Sequence, residues 1–194
     1  MVVIKRLADA ERDGDRVYAV VEGTGVASDG KGASVMVPRV DGQLLALQRA
    51  WADAEQHPAT VGLVEAHGTA TPVGDDAELT TLGRFFGGPD PDGRPLAGVG
   101  SVKSMIGHAM PAAGIAGLIK AAYAVHHGVL PPTLHVEDPH EAFGGTRFRP
   151  VTEAEPWDAE PTGGVRRAAV NAFGFGGINA HIVLSAPTTP EIES

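Results

Sequence analysis

Cysteine is missing from all 194 residues, which excludes disulfides, thiolate metal sites and any sulfur nucleophile supplied by this polypeptide. Positive charge is in short supply: 15 Lys and Arg stand against 24 Asp and Glu, a formal charge of −9 that argues against nucleic acid as a partner. Long apolar runs are absent too. The first residues, Val2-Val3-Ile4-Lys5-Arg6-Leu7, are too few and too soon charged for a signal peptide or a membrane span, so a cytoplasmic protein is expected. Neither a Walker pattern nor a full dinucleotide fingerprint occurs, and HExxH and Gly-x-Ser-x-Gly are missing. The 8 histidines are scattered, and the adjacent His126 and His127 point to different faces of a helix. No metal site is therefore expected.

What is present suits a folded chain. Hydrophobic residues at 43% and charged residues at 20% are ordinary for a protein that buries a core, and the length allows one domain. The 26 glycines and 15 prolines fall between apolar runs and punctuate many short elements. Residues 2–7 and 17–21 read as two neighbouring strands, with Gly14 in the polar stretch between them. Asp41 caps a helix carrying Leu44, Leu47, Trp51 and Ala54 at helical spacing, up to a break at Pro58. Residues 61–66 form a strand, and a helix beginning near Asp75, with Glu78 completing a capping box, buries Leu79, Leu82 and Phe86 before Gly87 ends it. Residues 96–102 form the next strand. A long helix follows, with Pro111 in its first turn, Gly128 past its end, and Ile115, Leu118, Ile119, Ala122 and Val125 on its buried side.

Such alternation predicts an α/β fold with crossover units on a mainly parallel sheet. Residues 131–164 read as an irregular excursion with at most short elements, anchored by Trp157. Two strands, 167–170 and 180–184, then flank the turn Asn171-Ala172-Phe173-Gly174-Phe175-Gly176-Gly177-Ile178-Asn179, and the tail after Pro187 is loose.

Three polar points fall at the ends of predicted strands or at a helix start, where open α/β sheets place their sites: His67, the pair Lys103 and His108, and the loop 173–179. His67-Gly68-Thr69-Ala70-Thr71-Pro72 offers an imidazole and two hydroxyls, with glycine admitting a ligand close to the backbone. Taken alone, His67 reads more readily as a strand-end histidine satisfied by backbone carbonyls. The positive end of the following helix disfavours an imidazolium at His108 and favours a neutral, donating ring. By spacing alone, though, His108 is also a helix cap and Lys103 a solvated lysine. The turn at 174–177 is also compatible with a plain tight hairpin.

Together these segments resemble the C-terminal half of a β-ketoacyl synthase, the condensing enzyme of fatty-acid and polyketide assembly and a member of the thiolase superfamily. Val64-Glu65-Ala66-His67-Gly68-Thr69-Ala70-Thr71-Pro72-Val73-Gly74-Asp75 resembles the family's first histidine motif, with Ala70 in place of the usual glycine. Gly100-Ser101-Val102-Lys103-Ser104-Met105-Ile106-Gly107-His108 resembles the second, and residues 171–181 resemble the closing glycine-rich motif, with Ile178 where threonine is usual. Residues 105–114 look most like iterative polyketide and polyunsaturated-lipid types, and Gly128-Val129-Leu130-Pro131-Pro132-Thr133-Leu134 also fits polyketide ketosynthases.

The resemblance implies the C-terminal half of a thiolase-like fold, layered αβαβα when complete, with a mixed sheet covered by helices. Residues 1–187 would form this half and 188–194 a flexible tail, with residues 1–23 as strands completing the sheet of the N-terminal half. A complete member carries its cysteine in the part that would precede Met1. The implied function is that of one half of a split synthase, whose partner chain holds the acyl group on cysteine while a malonyl-type carrier-protein thioester loses carbon dioxide and condenses with it. His67 and His108 match the family's active-site histidines, and Lys103 the lysine that tunes them. Thr69 and Thr71 match the hydroxyls that contact the pantetheine arm. Phe175, between Gly174 and Gly176, matches a mobile gating phenylalanine whose N–H shares an oxyanion hole with that of the cysteine.

No bound cofactor is implied, since substrates ride on the phosphopantetheine of an acyl carrier protein. Expected partners are that carrier and the cysteine-bearing N-terminal half, in a hetero-oligomer or a dimer of such pairs. Membrane and nucleic acid are not among them. The rival readings are a non-catalytic ketosynthase-like scaffold that docks a partner half or a carrier protein, and a piece cut from a longer synthase. Retention of His67, Lys103 and His108 favours catalysis.

Overall fold

The computed structural model describes residues 1–30, 37–89 and 97–187. The tail 188–194 and the start of the predicted strand at Leu96 lie outside them. Six strands form the main sheet in the order β1-β8-β7-β2-β3-β5: β1 (Val20–Ser28), β8 (Ile178–Ser185), β7 (Arg167–Phe173), β2 (Leu63–Glu65), β3 (Ala97–Gly100) and β5 (Phe148–Pro150). β7, β2, β3 and β5 run parallel, while β8 is antiparallel to both β7 and β1. Crossovers through helices explain the parallel part and the tight turn at 174–177 explains the hairpin, so the sheet is mixed. A small ribbon pairs β4 (Val129–Leu130) with β6 (Glu155–Pro156).

Successive residues of each strand feed opposite faces. Val64 and Val183 join Leu47, Trp51, Leu82, Phe86 and Phe148 under α2 (Val40–Asp53) and α3 (Pro72–Phe86). Their neighbours Leu63 and Leu184 join Val125, Leu130, Val151 and Trp157 under α5 (Ala113–His127). Trp157 anchors the 131–164 excursion, donating its backbone N–H to Gly128 at 2.8 Å. Within that excursion lies β5, an edge strand of the main sheet rather than loose surface chain.

Ahead of Val20 the strands expected in residues 1–23 do not form. Residues 2–6 form no strand, and α1 (Leu7–Asp13) occupies much of the segment read as a polar link. Its sequence, LADAERD, is made mostly of good helix formers, Asp9 pairs with Arg6 and Arg12 at 2.6 Å, and Gly14 caps it in the left-handed region. Val3 and Ile4 are exposed, and among the described residues no strand pairs with this segment. β1 begins only at Val20, where it can pair with this chain's own β8.

Three helices differ in detail. α2 starts at Val40 with Arg39 at its cap position, so Asp41 lies within the first turn and does not cap it. α3 starts at Pro72, with Thr71 as its cap accepting the Gly74 N–H at 3.2 Å, so Asp75 and Glu78 form no capping box. α5 buries Ala113, Gly117, Ala121, Ala124 and Val125, leaving Leu118, Ile119 and Ala122 half-buried and Ile115 exposed. Small residues let this helix lie close on the sheet: a β-carbon at Gly117 would stand 2.9 Å from Glu65 Cγ.

Candidate active site

The C-terminal ends of the parallel strands β2, β3 and β7 converge at one edge of the sheet and release three loops there. β2 delivers His67, β3 delivers Ser101 and the short helix α4 (Lys103–Ile106), and β7 delivers Phe173. Gly68, at φ +44°, lets the first loop turn over the second, because a β-carbon there would lie 2.9 Å from Ser101 Cβ.

His67 and His108 meet edge to face, with ring centroids 5.6 Å apart and planes at 85°. Their ring protons are fixed by their neighbours. His67 Nδ1 accepts the Phe173 backbone N–H at 3.3 Å, with Lys103 Nζ 3.5 Å from the same nitrogen. His108 Nδ1 accepts the Met110 backbone N–H at 3.0 Å. With both Nδ1 lone pairs engaged, the neutral form of either ring carries its proton on Nε2. Burial, followed by the charges of Lys103 and His108, pulls the His67 pKa down to about 4.

Lys103 is half-buried and donates to the carbonyl of His67. Burial lowers its pKa, opposed by the charges of Glu78 and Glu65. Both carboxylates organise the loops. Glu78 accepts the backbone N–H of His67 at 2.8 Å and of Gly68 at 2.9 Å, and Asn171 Nδ2 at 2.7 Å. Glu65 accepts the Val102 N–H at 2.6 Å, which holds the turn before Lys103, and pairs with Lys120 at 2.8 Å. Burial raises the pKa of both, opposed at Glu65 first by the charge of Lys120 and at Glu78 by its N–H donors.

Of the predicted site residues, His67, Lys103 and His108 are brought together, and Thr69, Lys103 and His108 line an open cleft of about 710 Å³. The hydroxyl of Thr71, which is not among the lining residues, lies 3.1 Å from that of Thr69. Phe175, flanked by Gly174 and Gly176, sits at the tip of the β7–β8 turn, 65% exposed, and the aromatic ring against His67 is that of Phe173, at 5.7 Å. Sequence reasoning missed the work of Glu78, Glu65 and Asn171; the one available signal was that all three lie in or beside the histidine and glycine-rich motifs. Among the described residues no group of three His, Cys, Asp or Glu could hold a metal ion, and no helix is long and apolar enough to cross a membrane.

Residues 18–137 match the family model for the β-ketoacyl synthase C-terminal domain, and residues 139–194 match the ketoacyl-synthetase C-terminal extension. The chain belongs to the β-ketoacyl synthase family. It is 47% identical over 186 residues to a phenolphthiocerol/phthiocerol polyketide synthase of Mycobacterium bovis, covering 95% of this chain and 10% of that protein. Against a polyunsaturated fatty acid synthase of a Thraustochytrium species the identity is 46% over 193 residues, covering 95% and 7%. The oxazolomycin ketosynthase domain of Streptomyces albus superposes with a TM-score of 0.87 at 41% identity, covering 98% of this chain and 34% of that one. A ketosynthase from module 6 of the Bacillus subtilis bacillaene synthase gives 0.86 at 36%, covering 96% and 35%. The chain thus corresponds to the C-terminal half of a ketosynthase and has its thiolase-like fold, spanning about a tenth or less of these curated relatives' length and about a third of these ketosynthase chains.

Proposed function

We propose that this ketosynthase half supplies the hydrogen-bond donors for decarboxylative Claisen condensation, with the acyl group held on a cysteine of an N-terminal half carried by a partner chain. The substrates ride on the phosphopantetheine of an acyl carrier protein, and the setting is cytoplasmic. One observation carries the reading: two adjacent imidazoles whose Nδ1 atoms both accept a backbone N–H, which leaves Nε2 as the donor of each neutral ring. Thr69 on the cleft wall and Thr71 beside it suit the amides of a pantetheine arm, and Phe175 on its glycine-flanked turn suits a gate.

In the reaction, the bond between the malonyl carboxylate and its α-carbon breaks, carbon dioxide leaves, and the electron pair moves onto the thioester oxygen as an enolate. His67 and His108 donate to that oxygen, a preorganised pair whose strength lies in being already oriented. The enolate carbon then attacks the acyl thioester carbonyl, and the cysteine leaves as thiolate. Lys103, bonded to the His67 carbonyl and close to its Nδ1, adds its charge to burial in holding the His67 ring neutral.

Reconstitution with an N-terminal ketosynthase half tests this. Loss of one such donor costs on the order of 3 kcal/mol, about a hundredfold in rate. His67→Ala and His108→Ala should each slow malonyl decarboxylation and condensation by that factor. Unchanged rates, or condensation by the chain on its own, would remove the proposal and leave a docking module.

A further inference from the structure

Behind the loop of His67 the core holds an unbroken file of hydrogen bonds that the reaction above does not use. Trp51, on α2, donates its indole N–H to His181 Nε2 at 3.0 Å. His181, on β8, has no exposed surface, and its Nδ1 lies 2.6 Å from Asn171 Oδ1. Asn171, on β7, passes its Nδ2 to Glu78, which grips the amides of His67 and Gly68.

Each link dictates the next. An indole N–H can only donate, so His181 Nε2 must offer its lone pair and the ring proton must sit on Nδ1. That N–H requires an acceptor, so Asn171 turns its oxygen to His181 and its nitrogen to Glu78. A cationic ring would set N–H against N–H at Trp51, and burial holds the His181 pKa down to about 3. Every donor in the file therefore points toward the Glu78 carboxylate, and from there to the backbone on which the His67 ring is mounted.

We infer that Trp51 is a positioning residue for His67, acting through the single tautomer it imposes on His181. This rests on the reading of His67 as an enolate donor for its consequence in catalysis, but not for the coupling itself. Trp51 also packs against Phe85 and Phe86, at 6.5 and 5.6 Å, so a test must separate the N–H from the ring. Trp51→Phe removes the N–H and keeps an aromatic ring.

The full chain, labelled with 15N histidine, reports the His181 tautomer through its ring nitrogen shifts. Amide hydrogen exchange reports the grip on His67 and Gly68. In the wild type the His181 proton should reside on Nδ1 alone; finding it on Nε2 overturns the inference without any variant. In Trp51→Phe a second tautomer should appear and exchange at His67 and Gly68 should quicken at least tenfold, with Ala46 and Leu47 of α2 unchanged. Exchange at 67 and 68 that stays at the wild-type rate, or that quickens no more than in α2, also overturns it. In the reconstituted enzyme the same variant should lower kcat about tenfold with KM unchanged. Loss of the enolate reading through His67→Ala would leave the tautomer and exchange results standing, so the two failures are distinguishable.

Discussion

At the scale of single residues, the departures from the family pattern have physical consequences. Ala70 stands where glycine is usual, and its φ of +56° lies in the left-handed region that a β-carbon disfavours. Ala70→Gly should raise stability by up to about 1 kcal/mol, read as a higher urea midpoint, since relief of strain exceeds the added freedom of the unfolded chain. Glu78→Gln should do the reverse. Its amide would turn N–H toward at least one of three existing N–H donors, and an unsatisfied buried polar group costs about 1–3 kcal/mol. The trio His67, Lys103 and His108 could be read from its motifs. Glu78 could not, because its spacing from Asp75 imitates a capping box. Only the curl of residues 67–68 over the start of α3 reveals that its carboxylate serves the loop.

Between elements, distance of approach decides what periodicity leaves open. α2 lies directly on β1: a β-carbon at Gly25 would stand 2.1 Å from the Ala46 carbonyl oxygen and one at Gly23 2.3 Å from that of Ala50. Gly25→Ala should therefore force the helix off the strand and lower stability by about 1–3 kcal/mol, measured by chemical denaturation. The same closeness explains α5. Its helical period is legible in the sequence but its face is not, because bulky Ile115, Leu118 and Ile119 read as the buried side. A helix pressed onto a sheet instead buries its smallest residues and turns larger ones outward. Residues 2–7 form no strand for a related reason: β-branched composition marks a preference for pleated surface, while a strand also needs a neighbour.

For the molecule as a whole, two predictions concern its solution behaviour. The His67 and His181 pKa values are depressed to about 4 and about 3, whereas in the unfolded chain both rings protonate near the ordinary 6.5. Between those limits the unfolded state binds more protons, so stability is fully present above pH 6.5 and declines as pH falls toward 3. The His181 ring contributes at most about 1.4 kcal/mol per pH unit, and His67 acts in the same direction. Urea titrations at pH 7 and pH 5 should show the lower midpoint at pH 5; equal midpoints would contradict the neutral assignments. The second prediction concerns the apolar groove between α5 and the β7–β8 hairpin, lined by Ile115, Leu118, Val170 and Ile182. On the proposed pairing with an N-terminal half, Ile115→Asp should abolish co-elution of the two halves while leaving the circular dichroism of this chain unchanged.

The register of the outer strands gives the architecture a further property. Val20, the first residue of β1, pairs with Ser185, the last of β8, and Ser185 also pairs with Arg167, the first of β7. β1 thus begins and β8 ends at a single corner of the sheet, at the opposite end of β7 from Phe173 and the histidines. The two strand ends lie beside one another, as two leads leave a plug, and neither starts from the end of the sheet that carries the histidine loops.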